Sequence, residues 1–281
     1  MQVIYDISTM RDIIVALKVQ NLSIGFVPTM GALHRGHIAL IDQAKSSSNV
    51  VVASIFVNKK QFDRQDDYDT YPRQLDADLK ILEEAGVDYV FAPSDTEMWP
   101  PLNETIVNVV NLSELYIGKV REGHFQGVTT VVAKLFNIVN PDKAFFGEKD
   151  FQQLSIVRRM VFDLNFNIEI VGVPIVREDD GVAYSSRNQL LSIEERKAAV
   201  VLWESLKAAQ IAYTQGITRA VELKEFIRKY ISREALAKID TIDIISNKDL
   251  SQVEGDASVG DVILLFVRFG SVQLLDQYTL R

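Results

Sequence analysis

The distribution of hydrophobic and polar residues predicts that strands and helices alternate through the first two-thirds of the chain. Short segments rich in β-branched or aromatic residues predict strands over residues 23–27, 50–57, 88–91, 143–146 and 168–171. Between them, helical patterns cover residues 36–44, 72–85, 128–138 and 150–164. Strands that alternate with helices in this way predict an α/β fold, a doubly wound parallel sheet with helices on both faces. Pro72 suits the first turn of its helix and Gly86 suits the end.

The pattern changes after about Pro174. Residues 192–215 predict one long helix and residues 221–230 a second. Strands are then predicted without intervening helices, over residues 240–245, 261–266 and 272–275. This order predicts a smaller α+β domain with an antiparallel sheet. We therefore expect one domain over residues 1–175 and another over residues 176–281, with a hinge near residues 174–180.

Composition narrows the classes of function. The chain has 281 residues, 47% of them hydrophobic, and a formal net charge of −8. An acidic chain argues against a nonspecific binder of nucleic acid or of an anionic membrane, because both need a basic face. With no cysteine, the chain has no disulfide and no Cys nucleophile, which fits a reducing compartment. We see no secretion signal and no apolar run near membrane-spanning length, so we expect a soluble cytoplasmic protein.

The segment GFVPTMGALHRGHIALI, residues 25–41, holds His34 and His37, two of the three histidines in the chain. It reads as a strand, a Gly-containing turn and the start of a helix. Such a helix end presents free backbone N–H groups and a partial positive charge to an anion. A histidine pair placed there could donate hydrogen bonds to phosphate oxygens. The third histidine, His124, lies in a second Gly-bounded segment, REGHFQG.

Two other interpretations of the histidines remain open. His34, His37 and His124 could bind zinc with one open position. However, metal-binding pairs on a helix usually carry a carboxylate within the motif, whereas Arg35 and Gly36 stand between these two. The pair could also be two ordinary surface histidines. No GxxxxGK[ST] or GxGxxG motif is present, so any nucleotide site must use other means.

A second strand-to-helix junction, FFGEKDFQQL (residues 145–154), carries further polar groups. Gly147 permits close backbone approach, and Lys149 places a positive charge at a helix start. Asp150 could cap that helix. Gln152 and Gln153 offer neutral donors and acceptors suited to hydroxyl and carboxylate groups.

Two more segments complete the candidate site. SIFVNKKQF (residues 54–62) puts Asn58 and Gln61 just past a strand end, where ligands bind in doubly wound sheets. VREDDGVAYSSRNQLLS (residues 176–192) offers Ser185, Ser186 and Arg187 on a Gly-containing loop. That loop suits a mobile clamp for a polyphosphate. All the candidate segments follow or adjoin strand ends.

Together these residues resemble the pantothenate synthetase family, the pantoate–β-alanine ligases of coenzyme A biosynthesis. The resemblance rests on six motifs and a closing segment: PTMGALHRGH (28–37), SIFVN..QF (54–62), YPR (71–73), HFQGV (124–128), FFGEKD..Q (145–153), SSRN (185–188) and FGSVQLLDQ (269–277). It implies a Rossmann-like HxGH nucleotidyltransferase domain, a smaller C-terminal domain closing over the site, and a homodimer. It also implies ATP as a substrate with Mg²⁺, no prosthetic group, and condensation of pantoate with β-alanine through pantoyl adenylate.

The resemblance also implies roles for individual residues. The catalytic residues would be His37, His34 and Lys149. ATP would be bound by Met30, Gly31, Ala32, Leu33, His34, Arg35, Gly36, His37, Gly147, Glu148, Lys149, Asp150, Val176, Tyr184, Ser185, Ser186 and Arg187. Pantoate would be bound by Gln61, Gln153, Asn58, Arg121 and His124, and β-alanine by Gln61. Mg²⁺ would arrive with ATP, without a metal ligand assigned in the protein.

Two positions depart from the family pattern. Lys59 stands where the family usually has Pro, and Tyr184 stands where it usually has Met before SSR. The first suggests a more mobile loop and the second a different shape for the ATP pocket. Other functions considered are an HxGH adenylyltransferase acting on phosphopantetheine or nicotinate mononucleotide, an aminoacyl-tRNA synthetase, and a catalytically inactive nucleotide sensor.

Overall fold

The computed structural model describes residues 1–281, which divide into two compact units, Met1–Pro174 and Ile175–Arg281. The first unit contains six strands: β1 (Gln2–Ile4), β2 (Ile24–Thr29), β3 (Val50–Ile55), β4 (Tyr89–Phe91), β5 (Lys143–Gly147) and β6 (Glu169–Val173). They form one sheet in the order β1-β4-β3-β2-β5-β6, and every neighbouring pair is parallel. The predicted parallel sheet is confirmed, and β1 is an additional strand that the sequence did not predict.

Helices cover both faces of this sheet. They are α1 (Ile7–Val19), α2 (Arg35–Ser47), α3 (Gln65–Thr70), α4 (Leu75–Ala85), α5 (Asp95–Met98), α6 (Val110–Ser113), α7 (Ile117–Val120), α8 (His124–Val139) and α9 (Phe151–Asp163). Successive side chains of a strand point to opposite faces. In β2, Phe26 joins the core under α1, α8 and α9, and Val27 joins the core under α2 and α4. Two apolar layers therefore hold the sheet between helices.

The helix predicted over residues 72–85 begins later than the sequence suggested. Tyr71 is extended (φ −61°, ψ 129°), as residues before proline tend to be, and α4 starts only at Leu75. Pro72 therefore lies outside the helix, and its predicted place in the first turn is wrong. The end of the helix is as predicted, because Gly86 adopts the left-handed conformation at φ 78°.

The second unit contains three helices, α10 (Ile193–Ala198), α11 (Val200–Thr214) and α12 (Ala220–Ile231). The strands β7 (Ala237–Ile245), β8 (Val262–Phe269) and β9 (Val272–Thr279) form an antiparallel sheet in that order. The predicted α+β domain is confirmed. The single helix expected over residues 192–215 is instead two helices, because the backbone tightens at Ala199, whose C=O accepts from the N–H of Leu202 three residues later.

A buried ion pair joins the first segment of the second unit to its last strand. The guanidinium of Arg177 donates to both carboxylate oxygens of Asp276, at 2.7 and 2.8 Å. It also lies over the ring of Trp203, 3.9 Å from the ring centroid. The Asp276 side chain is 2% exposed, so this pair fixes residues near 177 against β9.

None of the helices has the length and apolar character needed to cross a membrane.

Candidate active site

The junction between β2 and α2 has the predicted order of strand, turn and helix. After β2 ends at Thr29, Gly31 and Ala32 both adopt left-handed backbone conformations, with φ of 79° and 51°. His34 is then the N-cap residue of α2, with an extended backbone. The two histidines therefore lie at the carboxyl end of β2, where doubly wound sheets bind ligands.

The histidine rings cap the helix themselves. The Nδ1 atom of His37 accepts from the backbone N–H of His34 at 3.2 Å, and the Nδ1 atom of His34 accepts from the N–H of Gly36 at 3.1 Å. The N–H groups of His34 and Gly36, expected to be free for an anion, are therefore bonded to the rings. A neutral ring that accepts through Nδ1 carries its hydrogen on Nε2. Each histidine is therefore an Nε2–H donor.

Burial keeps both rings neutral. It lowers the pKa of His37 to about 3, with the nearby charges of His34 and Lys149 adding to the effect. Burial also lowers the pKa of His34 to about 4, assisted by Lys149 and opposed by Asp150. The ring centroids are 4.1 Å apart, so protonation of one ring disfavours protonation of the other. At neutral pH both rings can donate a hydrogen bond through Nε2 without carrying charge.

Lys149 supplies the positive charge beside the histidines. It follows β5, which is paired with β2, so both strands end at the same edge of the sheet. Its charge contributes to the lowered pKa of both histidines. Asp150 precedes α9, but its side chain makes no capping hydrogen bond, so its predicted role as a cap is wrong.

A second group of predicted residues gathers around Gln61. Its Nε2 lies 3.1 Å from the sulfur of Met30, which precedes the left-handed turn. Its Oε1 accepts from Asn58 at 3.0 Å, and its backbone oxygen lies 2.7 Å from the Nδ1 of His124. Met30, Asn58, Gln61 and His124 thus belong to one cluster. Arg121 lies just before α8, and its backbone oxygen accepts from the N–H of His124.

Asn58 is bonded within the protein. It is 1% exposed, and its Nδ2 donates both to Gln61 and to the backbone oxygen of Gly127 at 3.1 Å. Its Oδ1 accepts from the N–H of Lys60, which caps the 3₁₀ turn Lys59–Gln61. Lys59 is the first residue of that turn, a position where Pro is also favoured. Asn58 therefore sets the orientation of Gln61.

The two glutamines at the start of α9 have different surroundings. Gln152 is 2% exposed; its Oε1 accepts from the N–H of Ile117, and its Nε2 donates to the backbone oxygens of Leu112 and Leu115. These hydrogen bonds attach α9 to the segment that contains α6 and α7. The expectation that Gln152 recognises hydroxyl or carboxylate groups of a ligand is therefore wrong. Gln153, the next residue, is half-buried.

The three histidines do not form a metal site. No group of three or more His, Asp or Glu side chains is arranged to hold a metal ion. The Nδ1 atoms of all three rings contact the protein backbone. The zinc interpretation therefore has no support in the arrangement of side chains.

In the second unit, residues 176–187 form a hairpin followed by a 3₁₀ turn. The backbone N–H of Tyr184 donates to the oxygen of Val176 at 3.0 Å. Ser185 caps the turn Ser186–Leu190, because its hydroxyl accepts from the N–H of Arg187 at 3.3 Å. The side chains of Val176 and of residues 184–187 are half-buried.

One residue near the histidines was missed by the sequence analysis. Asp78, in the first turns of α4, accepts from the backbone N–H groups of Ala32 and Leu33. The sequence gives no signal that separates it from the exposed Asp76 two residues earlier.

Comparison with known proteins gives the family. Residues 2–279 match the family described as pantoate–beta-alanine ligase. The chain belongs to the pantoate–beta-alanine ligase family. The pantothenate synthetase of Bartonella henselae is 56% identical over 281 residues, covering 100% of this chain and 99% of that protein. That of Bartonella quintana is 57% identical over 280 residues, with 100% and 98% covered.

Solved structures agree with the ligase family assignment. A crystal structure of pantothenate synthetase from Thermus thermophilus matches with a TM-score of 0.93 and 44% identity, covering 99% of each chain. That of the pantoate–beta-alanine ligase from Francisella tularensis, complexed with beta-gamma ATP and beta-alanine, has a TM-score of 0.81 and 34% identity, covering 99% of this chain and 97% of that one. The resemblance drawn from the sequence motifs is confirmed, and the other nucleotide-binding families considered are not supported.

Proposed function

We propose that this protein is an ATP-dependent ligase that condenses pantoate with β-alanine to give pantothenate, AMP and pyrophosphate. The observation that carries the proposal is the pair of half-buried, neutral histidines beside Lys149. Family membership supports the substrates, since the Francisella tularensis relative was solved with beta-gamma ATP and β-alanine. ATP is a substrate here and brings Mg²⁺ with it.

The reaction has two steps. First, a carboxylate oxygen of pantoate attacks the α-phosphorus of ATP; a new P–O bond forms, the bond to the bridging oxygen breaks, and pyrophosphate leaves. Second, the amine of β-alanine attacks the acyl carbon of pantoyl adenylate; an amide forms, AMP leaves, and the amine loses a proton. No covalent bond to the protein is needed, so catalysis rests on positioning and on stabilising charge.

In the first step the histidines and Lys149 bind the phosphates of ATP. Neutral Nε2–H groups of His34 and His37 donate hydrogen bonds to phosphate oxygens without a proton having to move. Lys149 offsets the negative charge that grows on the oxygens of the transferred phosphoryl group and on the leaving pyrophosphate. His37 has the lower pKa of the pair, about 3 against about 4, so its ring stays neutral over the wider pH range.

We assign the remaining ATP contacts to residues of both units. In the first unit these are residues 30–37 and 147–150. A Cβ built on Gly147 would meet no protein atom within 4 Å, which supports the approach of a ligand to that backbone. In the second unit they are Val176 and residues 184–187. We propose that the unit from residue 176 closes over the site, as a hinge near residues 174–180 would allow.

Pantoate is proposed to lie between Gln61 and Gln153, with Arg121 and His124 on the same side and β-alanine near Gln61. Neutral amides suit the hydroxyl groups of pantoate and cost less to bury than charged groups. Asn58, which the sequence predicted to bind pantoate, is 1% exposed, and we propose that it acts instead through its hydrogen bonds to Gln61 and to Gly127. The contact between Gln61 and Met30 supports a site in which pantoate and ATP are neighbours.

We propose that the enzyme works in the cytoplasm as a homodimer. The absence of cysteine fits a reducing compartment. Phe162 and Leu164, 74% and 50% exposed, lie at the end of α9 beside the edge strand β6, and they offer an apolar face for a second copy. Analytical ultracentrifugation of the wild type and of Phe162→Glu tests the dimer. We expect the wild type to sediment as a dimer and the variant as a monomer. If the variant has the same sedimentation coefficient as a dimeric wild type, Phe162 does not lie in the interface.

The reaction is tested by following AMP and pyrophosphate separately. We expect exchange of labelled pyrophosphate into ATP with pantoate alone, and AMP release only when β-alanine is also present. Exchange that requires β-alanine would exclude the adenylate intermediate. No turnover with any combination would favour an inactive nucleotide sensor.

A further inference from the structure

The turn that leads into the histidines is held by a carboxylate from another helix. Oδ2 of Asp78 accepts from the N–H of Ala32 at 2.9 Å, and Oδ1 accepts from the N–H of Leu33 at 2.8 Å. Asp78 is 1% exposed and lies in the first turns of α4, more than forty positions along the chain. A carboxylate is buried only where hydrogen bonds compensate for lost water, and here main-chain N–H groups do so.

The backbone of this turn is left-handed at two successive residues, one of which is an alanine. Gly31 and Ala32 have φ of 79° and 51°, and an alanine rarely occupies the left-handed region. A Cβ on Gly31 would lie 2.8 Å from Oδ2 of Asp78, so the carboxylate is packed directly against the turn. Two successive N–H groups that converge in this way form a cradle for an anion.

The cradle adjoins the proposed phosphate site. Leu33 is followed at once by His34, whose backbone N–H is bonded to the ring of His37. The carboxylate thus occupies the anion cradle that precedes the histidines, so the N–H groups of Ala32 and Leu33 are not open to the substrate phosphates.

From this arrangement, and resting on the proposed function, we propose that Asp78 is a positioning residue for adenylation: its carboxylate fills the anion cradle of Ala32 and Leu33, and so fixes the histidine pair for the transferred phosphate. It contacts neither pantoate nor β-alanine in this role. A displacement of the histidines by about 1 Å can cost roughly 10²-fold in rate. The second step, aminolysis of the adenylate, depends less on those donors.

Two variants and a control test this role. Asp78→Asn keeps the shape but turns one acceptor into an NH₂ group that faces a backbone N–H. Asp78→Ala removes both acceptors. Asp76→Asn changes the exposed aspartate two residues earlier and leaves the cradle intact. Pantoate-dependent ATP–pyrophosphate exchange measures the first step, and single-turnover aminolysis of supplied pantoyl adenylate by β-alanine measures the second.

We expect Asp78→Ala to slow exchange by roughly 10²-fold and Asp78→Asn by less, with pantoate KM and the aminolysis rate changed by under about threefold. Formate should partly restore exchange in Asp78→Ala by filling the cradle, and should not affect Asp76→Asn. Equal losses in both steps would reduce Asp78 to a residue that only stabilises the fold, and would overturn the proposal. Wild-type exchange in Asp78→Asn would overturn it as well.

A readout without catalysis separates this proposal from the proposed function. In the folded wild type, the amide protons of Ala32 and Leu33 should exchange slowly with solvent, and in Asp78→Asn they should exchange at least about tenfold faster. Thermal melts confirm that the variant is folded. If the wild type catalyses no exchange of pyrophosphate but these amide protons exchange faster in Asp78→Asn, the proposed function is wrong and the role of Asp78 in holding the turn is supported. If the amide exchange rates of Ala32 and Leu33 are the same in the wild type and in Asp78→Asn, the proposed role of Asp78 is wrong, whatever the catalytic activity.

Discussion

His37 accepts a hydrogen bond from the backbone N–H of His34 through its Nδ1 atom, so the second histidine of the motif fixes the backbone of the first. His34 in turn uses its own ring on the N–H of Gly36. The pair is therefore one structural unit, in which spacing, tautomer and charge state depend on one another. This relationship explains why two histidines stand three residues apart at a helix start.

The first prediction concerns the charge and donors at the phosphate. His37→Ala and Lys149→Ala should each slow adenylation by roughly 10²-fold or more, the scale of losing one transition-state stabiliser. Pantoate-dependent pyrophosphate exchange measures the effect, and Lys80→Ala on the exposed face of α4 is the matched lysine control. Near-normal pyrophosphate exchange in either variant would show that the substituted residue does not stabilise the transition state of adenylation.

The second prediction concerns pH. Because burial holds the pKa of His34 at about 4 and that of His37 at about 3, the folded protein does not bind protons at these rings until the pH falls well below 6.5. The unfolded chain binds them below about 6.5, so stability is complete above that pH and falls as the pH drops toward 4. Each histidine contributes a slope of at most about 1.4 kcal/mol per pH unit.

Urea unfolding at several pH values measures this slope, with the double variant His34→Gln/His37→Gln as the comparison. The variant keeps His124 and should lose the part of the slope due to the pair. An NMR titration of the wild type should show both rings neutral at about pH 5.5, between their folded pKa values and the ordinary one. A ring that titrates near its ordinary pKa would mean that the pair is not buried as described.

The third prediction concerns Gln61 and its support. Gln61→Ala and Gln153→Ala should each weaken pantoate binding by roughly 0.5–1.5 kcal/mol, with little change for ATP. Asn58→Ala should be non-additive with Gln61→Ala, because Asn58 acts through it, and additive with Gln153→Ala. Calorimetric titration decides this, with Gln43→Ala on the exposed face of α2 as the control. Additivity in both pairs would assign Asn58 a separate role.

The fourth prediction concerns the buried ion pair of the second unit. Asp276→Ala leaves the Arg177 guanidinium buried without its carboxylate and should cost about 3–5 kcal/mol of unfolding free energy. Asp180→Ala, which removes a more exposed partner of Arg196, should cost under about 1 kcal/mol. Fluorescence of Trp203 in a Trp99→Phe background follows this unit during urea unfolding. Equal costs for the two variants would contradict the difference in burial.

The fifth prediction concerns Tyr184, where the family usually has methionine. Methionine adapts its shape to a ligand, whereas tyrosine is rigid and carries a hydroxyl. Tyr184→Met should change the affinity for ATP and leave pantoate binding unchanged. Separate titrations with each substrate measure this. A selective loss of pantoate affinity would exclude residues 184–187 from the nucleotide side of the site.

The sequence alone determined the layered fold and the main site motifs. Alternating apolar segments predicted the parallel sheet, because a strand buried on both faces is apolar throughout, as Val50–Ile55 nearly is. The change of pattern after Pro174 likewise predicted the antiparallel sheet of the second unit. Short spacings placed His34, His37 and Lys149 at strand ends, because the carboxyl ends of parallel strands share one edge of the sheet.

The tertiary structure decided what each polar side chain bonds to. Gln152 and Gln153 are the same residue type at adjacent positions, and the sequence does not distinguish them. In the folded chain Gln152 is buried and donates to backbone oxygens more than thirty positions away. Asp78 and Asp76 differ in the same way. Sequence spacing reports which residues share a strand or helix face, whereas hydrogen bonds across the chain depend on how those faces pack. The neutral state of His34 and His37 likewise follows from burial, which only the packed structure determines.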